Sequence, residues 1–122
     1  MITNVKIYKN DQILDLLDRP SQPVSIYDEN VKNFVLSLII KKNTFVLDKS
    51  IGSSFLNDVC RLFPHELEDG INLLIKDLAS HYSFLNITKV EISKKPNTQE
   101  IIIKISLLID SDIYLICLEM IL

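Results

Sequence analysis

Residues 99–110, Gln-Glu-Ile-Ile-Ile-Lys-Ile-Ser-Leu-Leu-Ile-Asp, form the most regular apolar pattern of this chain. Side chains of a β-strand point alternately to its two faces, so residues two apart share a face. The residues of the apolar face are Ile101, Ile103, Ile105, Leu107 and Ile109. The residues of the other, mixed face are Glu100, Ile102, Lys104, Ser106 and Leu108. The pattern predicts a strand with one face on a core and the other partly covered.

Two further strands are predicted next to this one, over residues 87–93 and 113–121. Lys95-Pro96-Asn97-Thr98 forms the turn before the central strand, and Asp110-Ser111-Asp112 forms the turn after it. Because short connections join antiparallel neighbours, the three strands are expected to form a meander.

Three helices are predicted upstream of these strands. The first begins near Glu29 with Asp28 as its N-cap, and a second, short helix runs from Phe55 to about Phe63. Pro64 suits the first turn of the third helix. Their apolar stripes are Val31, Phe34, Val35, Leu38 and Ile39 in the first, and Leu67, Ile71, Leu74, Ile75, Leu78 and Tyr82 in the third. Gly70 lies within the third helix, where a glycine lowers helix stability by about 1 kcal/mol relative to Ala. We therefore expect a neighbouring element to pack closely against this position.

Residues 1–28 are less regular and are predicted to be an N-terminal arm, followed by one domain over residues 29–122. A short strand is expected over 2–8 and a helical turn or two over 13–17, and Pro20 and Pro23 hold the chain extended. The sequence therefore predicts an α+β fold, with an N-terminal arm and three helices followed by a three-stranded antiparallel meander.

Length and charge exclude several classes of function. The 122 residues suit one domain, and the net charge of −3 with scattered Lys and Arg argues against nucleic acid as a partner. The apolar runs 34–40 and 113–122 are far shorter than the ~20 residues that span a bilayer. No secretory signal pattern is present at the N-terminus, so a cytosolic protein without membrane insertion is expected.

The titratable and nucleophilic residues suggest no catalytic, metal or cofactor site. Glu66, Glu68 and Asp69 suit the positive end of a helix dipole, and His65 and His81 lie several turns apart. The remaining candidates are Asp110 and Asp112 in one turn, Ser50, Ser53 and Ser54 without a neighbouring base, and Cys60 and Cys117 in apolar surroundings. We therefore expect no enzyme activity, no metal and no cofactor.

The C-terminal strand is unusual because it is apolar on both faces. One face carries Ile113, Leu115, Cys117 and Ile121, and the other carries Tyr114, Ile116, Leu118, Met120 and Leu122. In a three-stranded meander it is an edge strand, and such edges are normally protected by charge or Pro. Two alternatives follow: the N-terminal arm folds back and covers this edge, or a partner chain adds a strand to it.

The order of elements resembles the baseplate-wedge family of contractile phage tails. That family includes the lysozyme-like baseplate protein, the sheath-proximal subunit of phage-tail-like bacteriocins and the small baseplate subunit of type VI secretion. The resemblance runs from the stripe at 31–40 through Gly52-Ser53 and the long helix to Ile87-Thr-Lys-Val-Glu-Ile92 and the closing strands. Where the family carries Glu-Pro-Arg, this chain has Phe84-Leu85-Asn86.

The resemblance implies a non-enzymatic subunit, a sheath initiator that links the baseplate wedge to the first sheath ring and templates the sheath by strand addition. Partner-binding residues are then expected at Phe84, Leu85 and Asn86 and on the even-numbered face of the last strand, at Tyr114, Ile116, Leu118 and Met120. The implied partners are other wedge proteins and sheath subunits, with several copies per particle. The implied location is the cytoplasm during assembly, then the baseplate of a virion or tail-like particle. The alternative is a small α+β ligand-binding or regulatory domain that forms a homodimer through its C-terminal strand.

Overall fold

The structure, a computed structural model, describes residues 2–14, 26–40, 52–82 and 84–122. Its strands are β1 (Ile2–Lys9), β2 (Gln12–Leu14), β3 (Ile87–Lys94), β4 (Glu100–Ile109) and β5 (Asp112–Ile121). Its helices are α1 (Ile26–Ile39), α2 (Phe55–Cys60) and α3 (Leu67–Ala79), and a 3₁₀ turn at Pro64–Glu66 precedes α3. All strand pairs are antiparallel, and the sheet has the order β2-β1-β5-β4-β3.

The predicted fold class, an arm and three helices followed by a three-stranded meander, is wrong because the sheet has five strands. The meander β3-β4-β5 is present, but β1 continues the sheet on the far side of β5. A three-stranded sheet would leave the backbone donors and acceptors of one side of β5 without partners over ten residues. Pairing with β1 satisfies them and makes β5 the central strand.

The pairing of β1 with β5 joins the two ends of the described chain. It runs from Ile2 opposite Met120 to Lys9 opposite Tyr114, with one register shift between Ile2 and Asn4. The strand predicted at the N-terminus is confirmed. The sequence leaves two alternatives for the exposed edge of the last strand, and the structure has the first of them: N-terminal residues pair with this strand and cover its edge.

The helical turn predicted from Ile13 is wrong at its first two positions, because Ile13 and Leu14 belong to strand β2. Asn10 and Asp11 connect β1 to β2 with φ values of 49° and 66°. Positive φ at both central residues is the pattern of a two-residue hairpin turn, and Asn and Asp tolerate it well. This turn sends the chain back along β1 as a hairpin.

One face of the sheet forms the core with the helices. A row of one apolar residue from each strand crosses this face: Leu14, Ile7, Ile116, Ile105 and Val90. The apolar face predicted for β4 is buried, as are Val31, Phe34, Val35 and Leu38 of α1 and Leu67, Ile71 and Ile75 of α3. The three closing strands are confirmed to within one residue at each end.

Gly70 lies against the side chain of Leu62, which confirms the close packing predicted for it. A Cβ atom at this position would come within 2.6 Å of a Leu62 methyl group. The missing side chain therefore lets the segment after α2 pack directly on α3.

Helix α1 begins at Ile26, earlier than predicted, so Asp28 lies in its first turn and is not its N-cap. Several predicted features lie outside the described residues: Pro20 and Pro23, the rest of the helical turn over 15–17, and Ser50. No described helix is long and apolar enough to cross a bilayer.

Ile105 tests whether the helices cover this face of the sheet. Ile105→Ala removes a fully buried side chain, so we expect the free energy of unfolding to fall by ~2–5 kcal/mol in denaturant titrations. Lys104→Ala on the same strand is the control, because Lys104 is exposed on the opposite face, and its effect should stay within about 0.5 kcal/mol. Equal effects of the two substitutions would contradict the described packing.

Candidate protein-interaction surface

The second face of the sheet, which we call the open face, is lined mainly by odd-numbered residues of β5 and even-numbered residues of β4. The described helices all pack on the other side. The residues at the centre of the open face are Lys6, Tyr8, Ile102, Lys104, Ser106, Leu108, Ile113, Leu115, Cys117 and Glu119. The central strands thus present an apolar strip with a few charges to solvent.

The apolar residues of the open face are concentrated near the β4–β5 and β1–β2 turns. Leu115 lies between Tyr8 and Ser106 on the neighbouring strands, and Ile113 lies opposite Leu108. Ile113 is 59% exposed and Leu108 is 40% exposed, and Ile13 of β2 at the same end of the sheet is 72% exposed. An exposed apolar cluster of this kind makes the open face a candidate surface for binding another protein.

The next row of the open face contains two lysines on either side of a thiol. Cys117 lies between Lys6 on β1 and Lys104 on β4. Within the part of the chain that the structure describes, neither lysine forms an ion pair, whereas Lys89 and Glu91 on β3 are paired at 2.6 Å. Burial raises the pKa of the Cys117 thiol above its usual value, and the two lysines oppose that rise. On β3, Glu91 lies opposite Lys104, and this lysine contributes to lowering the pKa of Glu91. The centre of the open face is therefore apolar, with two lysines beside Cys117 and a carboxylate at its β3 side.

The even-numbered side chains of β5, predicted as partner contacts, lie on the core face. Tyr114, Ile116, Leu118 and Met120 are at most 1% exposed, so a partner cannot reach them in this fold. The prediction assigned them to a partner because it treated β5 as an edge strand with both faces apolar. The one signal for the correct orientation was Glu119 on the odd-numbered face, because a carboxylate suits solvent better than the core.

The three residues at the position of the family triplet lie in separate surroundings. Phe84 is 56% exposed, has a φ of 70° and packs edge-to-face on Tyr27 with ring centroids 5.2 Å apart. Leu85 packs against the core, and the carbonyl oxygen of Asn86 accepts a hydrogen bond from the Leu108 N–H at 3.0 Å. Phe84 alone of the three presents a large apolar side chain to solvent.

A polar cluster of Lys9, Asp28 and Tyr114 fastens α1 to the sheet. The Tyr114 hydroxyl donates a hydrogen bond to Asp28 Oδ1 at 2.5 Å, and Lys9 Nζ donates to the same oxygen at 2.9 Å. Lys9 Nζ also lies 5.6 Å from the centre of the Tyr114 ring. All of these groups take part in structural contacts between β1, α1 and β5.

Burial and the two hydrogen bonds shift the pKa values in this cluster. Burial raises the pKa of Tyr114, and the Asp28 carboxylate raises it further. Burial also raises the pKa of Asp28, but the hydrogen bonds from Tyr114 and Lys9 lower it more, so its net value is below normal. The cluster therefore favours an ionised Asp28 and a neutral tyrosine.

The residues considered for catalysis or metal binding do not form a site. No group of three His, Cys, Asp or Glu side chains in the described ranges is placed to hold a metal ion. Glu66 accepts a hydrogen bond from the Phe63 N–H at 2.9 Å, and His65 stacks on the Phe63 ring. Ser53 Oγ donates to the Ser37 carbonyl oxygen, and Ser54 Oγ donates to Asp58.

The other candidates are also separate from one another. Glu68, Asp69 and His81 are exposed on or just after α3, and Asp112 accepts a hydrogen bond from Asn10 at 2.9 Å. The carboxylate of Asp110 lies beside the Tyr27 hydroxyl and raises the pKa of that tyrosine. Cys60 is exposed and Cys117 is half-buried. These placements suit capping, turn and surface roles.

The grooves of the described residues are shallow. A groove of about 350 Å³ is lined by Lys76, Ala79, Ser80, Tyr82, Leu85 and Ile87, and it opens widely to solvent. Its lining combines the Lys76 ammonium group and the hydroxyls of Ser80 and Tyr82 with three apolar side chains, and a groove this open encloses little of a small ligand. The open face is the stronger candidate for a functional site.

Comparison of this chain with protein-family models, curated proteins and solved structures gives no match.

The Lys9–Asp28–Tyr114 cluster predicts a stability that depends on pH. Asp28→Asn removes the charge from two hydrogen bonds, and we expect it to cost ~1–3 kcal/mol of unfolding free energy at pH 7. Because the pKa of Asp28 is lowered by folding, its contribution is complete above the unfolded value and is lost as the pH falls through the folded value. The difference between wild type and variant should therefore shrink as the pH drops below about 4.

Urea unfolding at several pH values measures this difference. Asp11→Asn is the matched control, because Asp11 is exposed in the β1–β2 turn, and its effect should be within about 0.5 kcal/mol at neutral pH. A cost for Asp28→Asn that is the same at pH 7 and in acid would contradict the role given to the carboxylate.

Proposed function

We propose that this chain is a non-enzymatic structural subunit that binds another protein through the open face of its sheet, and that the assembly is the baseplate of a contractile injection machine. The observation that carries the proposal is the apolar strip around Leu115, Ile113 and Leu108 on the central strands. Such a strip usually lies under a helix or a second sheet, because a sheet is stabilised by burying its apolar faces.

The identity of the machine rests on the resemblance described above. The short helix, the long helix and the three closing strands follow one another as that resemblance requires. The partners proposed are baseplate wedge proteins and sheath subunits, and the proposed location is the cytoplasm during assembly and the particle baseplate afterwards. No catalytic role, cofactor or metal is part of the proposal.

Docking through the open face replaces strand addition as the proposed mode of binding. β5 has a strand on each side, so it can accept neither a sheath strand nor the same strand of a second copy. The described outer strands are β2, with three residues, and β3, with eight. β3 carries Lys89, Glu91 and Lys94 and a register irregularity near its start, features that protect an edge against pairing.

Leu115→Lys tests the proposed binding surface. The new charge lies in the middle of the apolar strip, and the backbone pairing of β5 is unchanged. Losing one buried apolar contact of ~1.5–3 kcal/mol should reduce incorporation of a tagged chain into sedimenting tail-like particles by about tenfold or more. Particles are purified from the producing cells, and the tagged chain is quantified by mass spectrometry.

Asn57→Lys is the matched control, because it adds the same charge to an exposed position of α2, in the helical layer. This variant should enter particles as wild type does. Normal incorporation of Leu115→Lys, or a wild-type chain that never sediments with sheathed particles, would contradict the proposal.

A further inference from the structure

Helix α3 exposes one apolar residue on the side that faces away from the core. Leu73 is 69% exposed, whereas Ile71 and Ile75, two positions away on either side, are fully buried. Asp69 and Asp77 lie one turn before and one turn after Leu73, so the three share a stripe along the helix. We call Asp69, Leu73 and Asp77 the acidic stripe.

The acidic stripe and the open face have opposite charges in the same arrangement. On the sheet, Cys117 lies between Lys6 and Lys104, beside Leu115 on the same face. On the helix, Leu73 lies between two aspartates. In the described part of the chain, none of these four charged side chains forms an ion pair. Glu91 lies opposite Lys104 but is ion-paired with Lys89, so the lysines of one surface and the aspartates of the other remain complementary.

The dimensions of the two surfaces also agree. Asp69 and Asp77 are eight residues apart on a helix, a rise of ~12 Å. Lys6 and Lys104 are separated by two strand spacings, ~10 Å. A helix of 13 residues is ~20 Å long, and the five strands of the sheet span ~19 Å from β2 to β3. Helix α3 laid across the strands would therefore cover the full width of the open face.

We infer that the occupant of the open face is the acidic stripe of a second copy of this chain. This inference rests on the proposed function for the choice of surface, and it assigns the open face to a second copy of the chain instead of to a wedge protein or a sheath subunit. Leu73 of one copy packs beside Leu115 and Cys117 of the next, and its two aspartates pair with Lys6 and Lys104. Two carboxylates of the open face lie near this contact: Glu91, opposite Lys104 and ion-paired with Lys89, and Glu119, one row away. Lys76 beside Asp77 is the cation of α3 available to them.

Contact between two open faces is disfavoured by charge. A two-fold axis over β5 would place Lys6 of one copy against Lys104 of the other, and like charges at an interface weaken it. The contact between helix and sheet is instead head-to-tail. Such a contact uses different surfaces on the two copies and generates a ring or a filament, which suits a subunit present in several copies per particle.

Charge reversal on each surface separately tests the inference. The variants are Lys6→Glu with Lys104→Glu on the sheet, and Asp69→Lys with Asp77→Lys on α3. The purified wild-type chain should show a mass that rises with concentration in sedimentation velocity and falls with added salt. Each double variant alone should bind itself at least about tenfold more weakly.

The decisive sample is an equal mixture of the two double variants. Each variant brings the surface that complements the other, so the mixture should assemble although neither variant does so alone. The fourfold variant should assemble as well. Where a reversal unfolds the chain by circular dichroism, the neutral variants Lys104→Gln and Asp77→Asn replace it, and each should weaken assembly by a smaller factor.

Three results would overturn the inference: a wild-type chain that stays monomeric, a mixture that does not assemble, or an effect of the sheet variant without one of the helix variant. The last of these would indicate that open faces pair with each other.

Failure of this inference can be distinguished from failure of the proposed function. A monomeric wild type whose Leu115→Lys variant still fails to enter particles would leave the open face as the binding surface for a different protein.

Discussion

The pairing of β1 with β5 is the constraint on which the rest of the structure depends. It joins residues from the two ends of the described chain and turns the last strand from an edge into the centre of the sheet. Once β5 is central, its even-numbered side chains must face the helices, because a slip of one residue would bury Glu119 and expose Met120. The Lys9–Asp28–Tyr114 cluster then ties α1 to the same two strands.

The same constraint determines where a partner can bind. The backbone of β5 is paired on both sides and one of its faces is buried, so only the odd-numbered face remains accessible. That face combines Leu115 and Ile113 with Lys6 and Lys104, and such a mixture favours a partner that is both apolar and acidic. We therefore propose recognition through side chains in place of strand addition.

The sequence alone was sufficient for the local elements and insufficient for their arrangement. The alternation in β4 and the stripe of α3 predict which residues are buried, because those periods are properties of single elements. Pairing between β1 and β5 depends on residues more than a hundred positions apart, and no local pattern specifies it. For β5, both faces are apolar, and Glu119 alone indicates which of them faces solvent. The acidic stripe was visible as Asp69, Leu73 and Asp77, but its significance depends on the lysines that β1 and β4 bring together.

The most direct test of the open face as the binding surface is the reactivity of Cys117. With Cys60→Ser, Cys117 becomes the single thiol of the chain, and it lies at the centre of the open face. Its half-buried thiol with a raised pKa should react slowly but measurably with a maleimide in the free chain. In the chain incorporated into its assembly, we expect alkylation to be at least about tenfold slower, because a docked protein covers the thiol. Equal rates in the free and assembled chain would show that the open face stays uncovered and would contradict the account.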